Sequence, residues 1–187
     1  MSSMDSVKQR DFEKAVESVL HGLSGISGLY DSQTEVLQSL VTENANLFVT
    51  SPTNSGKTLP PVIVPAVLLE LNTMGYEFPA SPRVLFQTAL NSIQLSLMLN
   101  MKSLGIQCSA VTRDNVDQVL ISETPVLFIG NYIAQSGKVL ADFSPFVGPE
   151  VLKVPEVTKS LLKYRESFVL TVIDEAHLGE PCTIRCV

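Results

Sequence analysis

The sequence predicts an α/β domain, a mostly parallel sheet flanked by helices. Apolar and β-branched runs alternate with helix-spaced segments along the 187 residues, the signature of successive βα units. One run, Phe168-Val169-Leu170-Thr171-Val172-Ile173, has the unbroken character of a strand buried on both faces of a parallel sheet. Two polar motifs follow apolar runs, where the carboxyl ends of parallel strands present ligand-binding groups.

The elements follow in order. Residues 6–21 form an amphipathic helix with Phe12, Val16, Val19, Leu20 and Leu23 at helical spacing, a stripe read as packing. Residues 22–28 link it to Ser32-Gln33-Thr34-Glu35, a capping-box pattern that opens a helix with Val36, Leu37, Leu40 and Val41 on one face. Residues 47–50 make the first strand, and the loop after it feeds a helix from 56 to about 71. Pro60 and Pro61 fit its first turn, and Pro65 should kink it. A loop spans 72–82, and strands are expected at 83–87, 108–112 and 126–130, with helices at about 91–103 and 114–121 between them. Residues 137–156 read as an irregular excursion, and a short helix at 156–165 leads into the apolar run at 168–173. There are no internal repeats.

The first polar motif is Thr50-Ser51-Pro52-Thr53-Asn54-Ser55-Gly56-Lys57-Thr58. A strand ends, the backbone turns, and a helix begins, so successive N–H groups and the positive helix end face an anion. Gly56 allows close backbone approach, Lys57 reaches the β- and γ-phosphates, and the Thr58 hydroxyl ligates Mg²⁺. Ser51 stands where the strict pattern has glycine, and Asn54 where a second glycine is common. The competing reading is a strand-to-helix turn that binds nothing. The second motif, Asp174-Glu175-Ala176-His177, ends the apolar run at 168–173. There Asp174 would hold the metal and Glu175 would orient and deprotonate water. Alone this motif is an ordinary acidic turn; with Lys57 upstream, the functional reading is stronger.

Composition sets bounds. A hydrophobic share of 45% with 17% charged residues excludes disorder, and 187 residues suffice for one α/β core. No apolar stretch approaches the roughly 18 residues of a membrane span, and the start of the chain lacks a signal peptide's basic and apolar regions. An intracellular location, nuclear or cytoplasmic, is expected. Cys108, Cys182 and Cys186 form no disulfide framework, and His177 with Cys182 and Cys186 lacks a fourth zinc ligand. The net charge of −6 confines any nucleic-acid contact to a local rim.

The two motifs, in this order, resemble the first RecA-like domain of superfamily-two helicases, with residues 174–177 as the DEAH box; the closest flavour is RecQ-like. Residues 85–93, Leu-Phe-Gln-Thr-Ala-Leu-Asn-Ser-Ile, are similar to a RecQ segment in which Ala89 replaces proline, and Leu104-Gly105-Ile106 follows at the family's separation. Residues 126–136 are similar to a strand-then-TPE segment without the TPE. Gln33 matches the adenine-reading glutamine, and Tyr30 stands where the RecQ pattern has arginine. The resemblance implies a P-loop NTPase binding ATP and Mg²⁺ through Gln33, Thr53, Asn54, Ser55, Gly56, Lys57 and Thr58. Lys57, Asp174, Glu175 and His177 would be catalytic, with Thr58 and Asp174 at the metal. Single-stranded or duplex nucleic acid, DNA ahead of RNA, would lie across Thr88, Ser92 and Asn131. DEAD-box and other DExH helicases stay open, as does a P-loop ATPase outside the helicases.

The expected organisation is an N-terminal helical extension over 1–24 and an ATP-binding domain over 25–187, truncated after the DEAH box. The resemblance implies a next strand, inserted between the phosphate-loop strand and the acidic strand, and a second RecA-like domain, neither of which is expected within residues 178–187. The resemblance therefore leaves two functions open: a motor domain, or a non-catalytic module that binds nucleotide or nucleic acid.

Overall fold

The computed structural model describes residues 7–43, 46–50, 55–88, 91–129 and 155–173. They form an α/β fold with a four-stranded, all-parallel sheet flanked by helices, an architecture compatible with a RecA-like fold. The strands are β1 (Arg83–Gln87), β2 (Cys108–Ala110), β3 (Val126–Ile129) and β4 (Phe168–Ile173), in the order β2-β3-β1-β4. The helices are α1 (Gln9–His21), α2 (Asp31–Thr42), α3 (Leu59–Thr73), α4 (Asn91–Ser103), α5 (Val116–Ile121) and α6 (Pro155–Lys163). A short 3₁₀ turn at Arg165–Ser167 enters β4.

Side chains alternate between the faces of the sheet. Val84 and Phe86 of β1, Val126 and Phe128 of β3, and Leu170 of β4 pack with α1, α3 and Met101 of α4. Leu127 and Ile129 enter a second cluster with Val116, Val119 and Leu120 of α5 and Val157 and Leu161 of α6. All four residues of β3 are thus buried, as two covered faces require. The α3 helix is apolar nearly all round because it is enclosed, with α1 and α2 on one side and β1 and β4 on the other. It runs unbroken through Pro65. The α1 stripe packs as expected: Phe12, Ala15 and Val16 are buried in the first cluster. Tyr76 ties the helix down, donating to Asp11 Oδ2 at 3.0 Å and accepting from the Lys8 N–H at 3.0 Å.

Three expectations need correction. Residues 47–50 are not a strand: they pair with nothing in the sheet, and Phe48 is 75% exposed. In consequence β4 is an edge strand among the described residues, with Leu170 buried and its other five residues half-exposed rather than covered on both faces. The helix expected from 56 starts at Leu59, because Gly56 at φ +73° sits in the left-handed region and interrupts it. No helix of the described residues is long and apolar enough to cross a membrane.

Two buried polar groups escape any pattern-based reading. Arg83, at the head of β1, is 2% exposed. Its Nη2 donates to Leu120 O at 2.6 Å, at the negative end of α5, and its guanidinium lies 5.5 Å from the Tyr164 ring centroid. Its Nε and Nη1 have no hydrogen-bond partner among the described residues. Burial pushes its pKa down, while Glu123 and Tyr164 push it back up. Cys108 is buried at the head of β2, its Sγ 3.7 Å from Met98 O. Burial raises the thiol pKa, against a smaller lowering by Lys102. A raised pKa leaves less thiolate at neutral pH. With Cys182 and Cys186 replaced by serine, alkylation of Cys108 by iodoacetamide at pH 8 should run about tenfold or more slower in native protein than in denaturant. Equal rates, read by mass spectrometry, would contradict this burial.

Candidate functional site

The site is built where α2 meets the turn leading into α3. The first turn of α2 starts two residues earlier than the capping-box reading, with Ser32 as N-cap, placed it. Tyr30 is the N-cap, and the Gln33 side chain reaches back so that its Oε1 accepts the Tyr30 N–H at 2.9 Å. The other end of that amide crosses to the turn. Gln33 Nε2 donates to Gly56 O at 3.0 Å and to Ser55 O at 3.3 Å. Gln33 is 6% exposed, so these bonds are made largely away from water.

Gly56 is the counterpart of this contact. Its φ of +73° suits glycine, and a Cβ built there would fall on Gln33 Nε2. The turn continues through Lys57 and Thr58, with the Leu59 N–H donating to Gly56 O at 3.0 Å. Pro60 and Pro61 occupy the first turn of α3, where N–H groups lack partners in any helix. Among the described residues, the Lys57 ammonium, the Thr58 hydroxyl and their two backbone N–H groups have no hydrogen-bond or ion-pair partner. Lys57 is exposed and Thr58 half-buried.

Beside this turn lies an open cleft of about 380 Å³, walled by α2, residues 47–50 and the head of α3. That volume is within the range of small-molecule sites. Ser32, Glu35 and Ser39 of α2 face it, opposite Leu47, Phe48 and Val49, with Lys57 at one end. The sequence reading did not single out these α2 residues or Phe48. The spacing of 32, 35 and 39 marks one helix face, which was the available signal.

The other expected positions fall differently. Thr88 is 3% exposed; its N–H donates to Ile129 O at 3.1 Å and its hydroxyl has no partner among the described residues. In this state that hydroxyl is not presented to a passing nucleic-acid strand. Ser92 lies in α4, and only its backbone is described. Thr53, Asn54, Asn131, Asp174, Glu175 and His177 lie outside the described residues, as do Cys182 and Cys186. The residue before the acidic motif, Ile173, pairs in register with Gln87, which pairs in turn with Ile129, so three strands end level at one edge of the sheet. Among the described residues no three His, Cys, Asp or Glu side chains gather as metal ligands.

No protein-family model matches the chain, and no curated protein matches it significantly.

Proposed function

We propose that this chain is the ATP-binding, RecA-like domain of a RecQ-like or DExH helicase, taking Mg-ATP at the 53–58 loop and nucleic acid, DNA ahead of RNA, at the carboxyl edge of its sheet. One observation carries the reading: a left-handed glycine, hydrogen-bonded by Gln33, leads into a lysine and a threonine that have no partner among the described residues, at the head of a buried helix. A side chain at position 56 would fall on the Gln33 amide that holds the turn, and the donor set at Lys57 and Thr58 is suited to a polyphosphate.

In this reading Lys57 binds the β- and γ-phosphates and Thr58 holds the metal with Asp174. Glu175 orients the attacking water and takes its proton, and His177 links the site to its neighbours. Bound Mg²⁺ supplies charge neutralisation across the phosphate oxygens.

A second reading is favoured by a specific observation. Residues 47–50 stand apart from the sheet, so the strand that normally anchors a phosphate loop is not in place. A non-catalytic nucleotide- or nucleic-acid-binding module would tolerate that arrangement better than a motor.

Titration with a fluorescent ATP analogue, with and without Mg²⁺, tests the site. Binding should require Mg²⁺, and Lys57→Ala should weaken it about 10–100-fold, the value of one charged hydrogen-bonding group on a phosphate. Equal binding by wild type and variant would reject the cradle. Hydrolysis stimulated by single-stranded DNA would then assign the motor, and binding without turnover the passive module.

A further inference from the structure

We infer that the site selects its ligand by the polyphosphate and does not select adenine, because Gln33 is a positioning residue for the loop. The inference rests on the nucleotide-binding reading above and adds the substrate class: nucleoside triphosphates irrespective of purine base.

The hydrogen-bond capacity of Gln33 decides this. A primary amide has two N–H donors and one carbonyl oxygen. The nitrogen donates to two backbone carbonyls, those of Ser55 and Gly56, and the oxygen holds the Tyr30 N–H. The network also fixes the amide's orientation. Flipped, Nε2 would meet the Tyr30 N–H and Oε1 would meet two carbonyls, giving repulsion at both ends. Reading an adenine edge takes a donor and an acceptor from one amide, and here no donor remains. Gln33 lines the cleft but is only 6% exposed, so little of its amide faces that space.

Among the described residues that line the cleft, no other side chain offers a fixed donor–acceptor pair to a base. Ser32 and Glu35 are exposed to water. The hydroxyls of Ser32 and Ser39 can donate or accept, so they tolerate an amino or a keto group alike. The large aromatic face on the cleft is Phe48, and stacking on an aromatic ring is tolerant of base identity. Affinity in this site therefore resides in the triphosphate end, where Lys57 and Thr58 stand.

The test is competition of ATP, GTP and inorganic tripolyphosphate, each with Mg²⁺, against a fluorescent nucleotide on the full chain. ATP and GTP should compete within about threefold of each other, less than the tenfold that 1.4 kcal/mol of base recognition would produce. Gln33→Ala should weaken ATP and GTP by the same factor, with their ratio unchanged. Gln33→Glu, which keeps the acceptor for Tyr30 and loses the donors to the loop, should match Gln33→Ala. An ATP preference beyond threefold in wild type, or a loss confined to ATP in the variants, overturns the inference and leaves the nucleotide site standing. Failure of all three competitors and of the probe to bind overturns both.

Discussion

Phe128→Ala is expected to destabilise the protein by about 3–5 kcal/mol, the range for truncating a fully buried aromatic. Phe128 is 0% exposed on β3, flanked by β2 and β1, and its ring centroid lies 5.3 Å from that of Phe86 at a tilt of 31°. That edge-inclined pairing adds to simple area burial. The cavity left behind would be bordered by the backbone of three paired strands, which cannot collapse inward without breaking ladder hydrogen bonds. Domains of this class have about 5–15 kcal/mol of stability in total, so the loss is a large fraction. Chemical denaturation reads it as a lowered midpoint at unchanged slope. Phe48→Ala is the matched control: the same residue type, 75% exposed, should change stability by no more than about 0.5 kcal/mol. A comparable loss from both variants would place residues 47–50 inside the core and contradict the four-strand order.

The second large effect is at the loop. Gly56→Ala forces a Cβ into the left-handed region, which costs about 1–2 kcal/mol. The same Cβ lands on Gln33 Nε2, so the amide must release the Ser55 and Gly56 carbonyls. Each lost hydrogen bond adds about 1 kcal/mol. Together these disfavour the loop conformation by about 3–4 kcal/mol, and a ligand that needs that conformation loses apparent affinity in proportion. Tripolyphosphate or ATP-analogue affinity, by titration calorimetry, should fall about 30-fold or more. Global stability should fall less, because the turn lies at the surface and can open locally. Binding unchanged from wild type would mean that phosphate is held by some other loop geometry.

These two sites also mark how far the chain could be read from its letters. The strand at 83–87 and the helix at 91–103 were legible to the residue, since alternating and helix-spaced apolar patterns are local properties. The glycine at 56 was legible as a point of close approach, although the approaching group is Gln33 rather than a ligand. The partner of Gln33 was not legible. As the resemblance has it, this glutamine reads a base; in the fold its amide is occupied by backbone 22 and 23 residues away. Arg83 was equally hidden, because nothing in an apolar strand flank announces that its first residue will be buried against Leu120 O and Tyr164.

By itself the sequence determined the α/β class, the alternation of most elements and Gly56 as a point of close approach. Each of these depends on side-chain type and spacing within a few residues. Tertiary structure alone decided that β4 lies at the edge among the described residues, that residues 47–50 stand outside the sheet, and that Gln33 serves the loop. Strand neighbours and amide partners are hydrogen bonds between distant parts of the chain. A backbone N–H or carbonyl is identical at nearly every residue, so only the packed arrangement selects which pairs form.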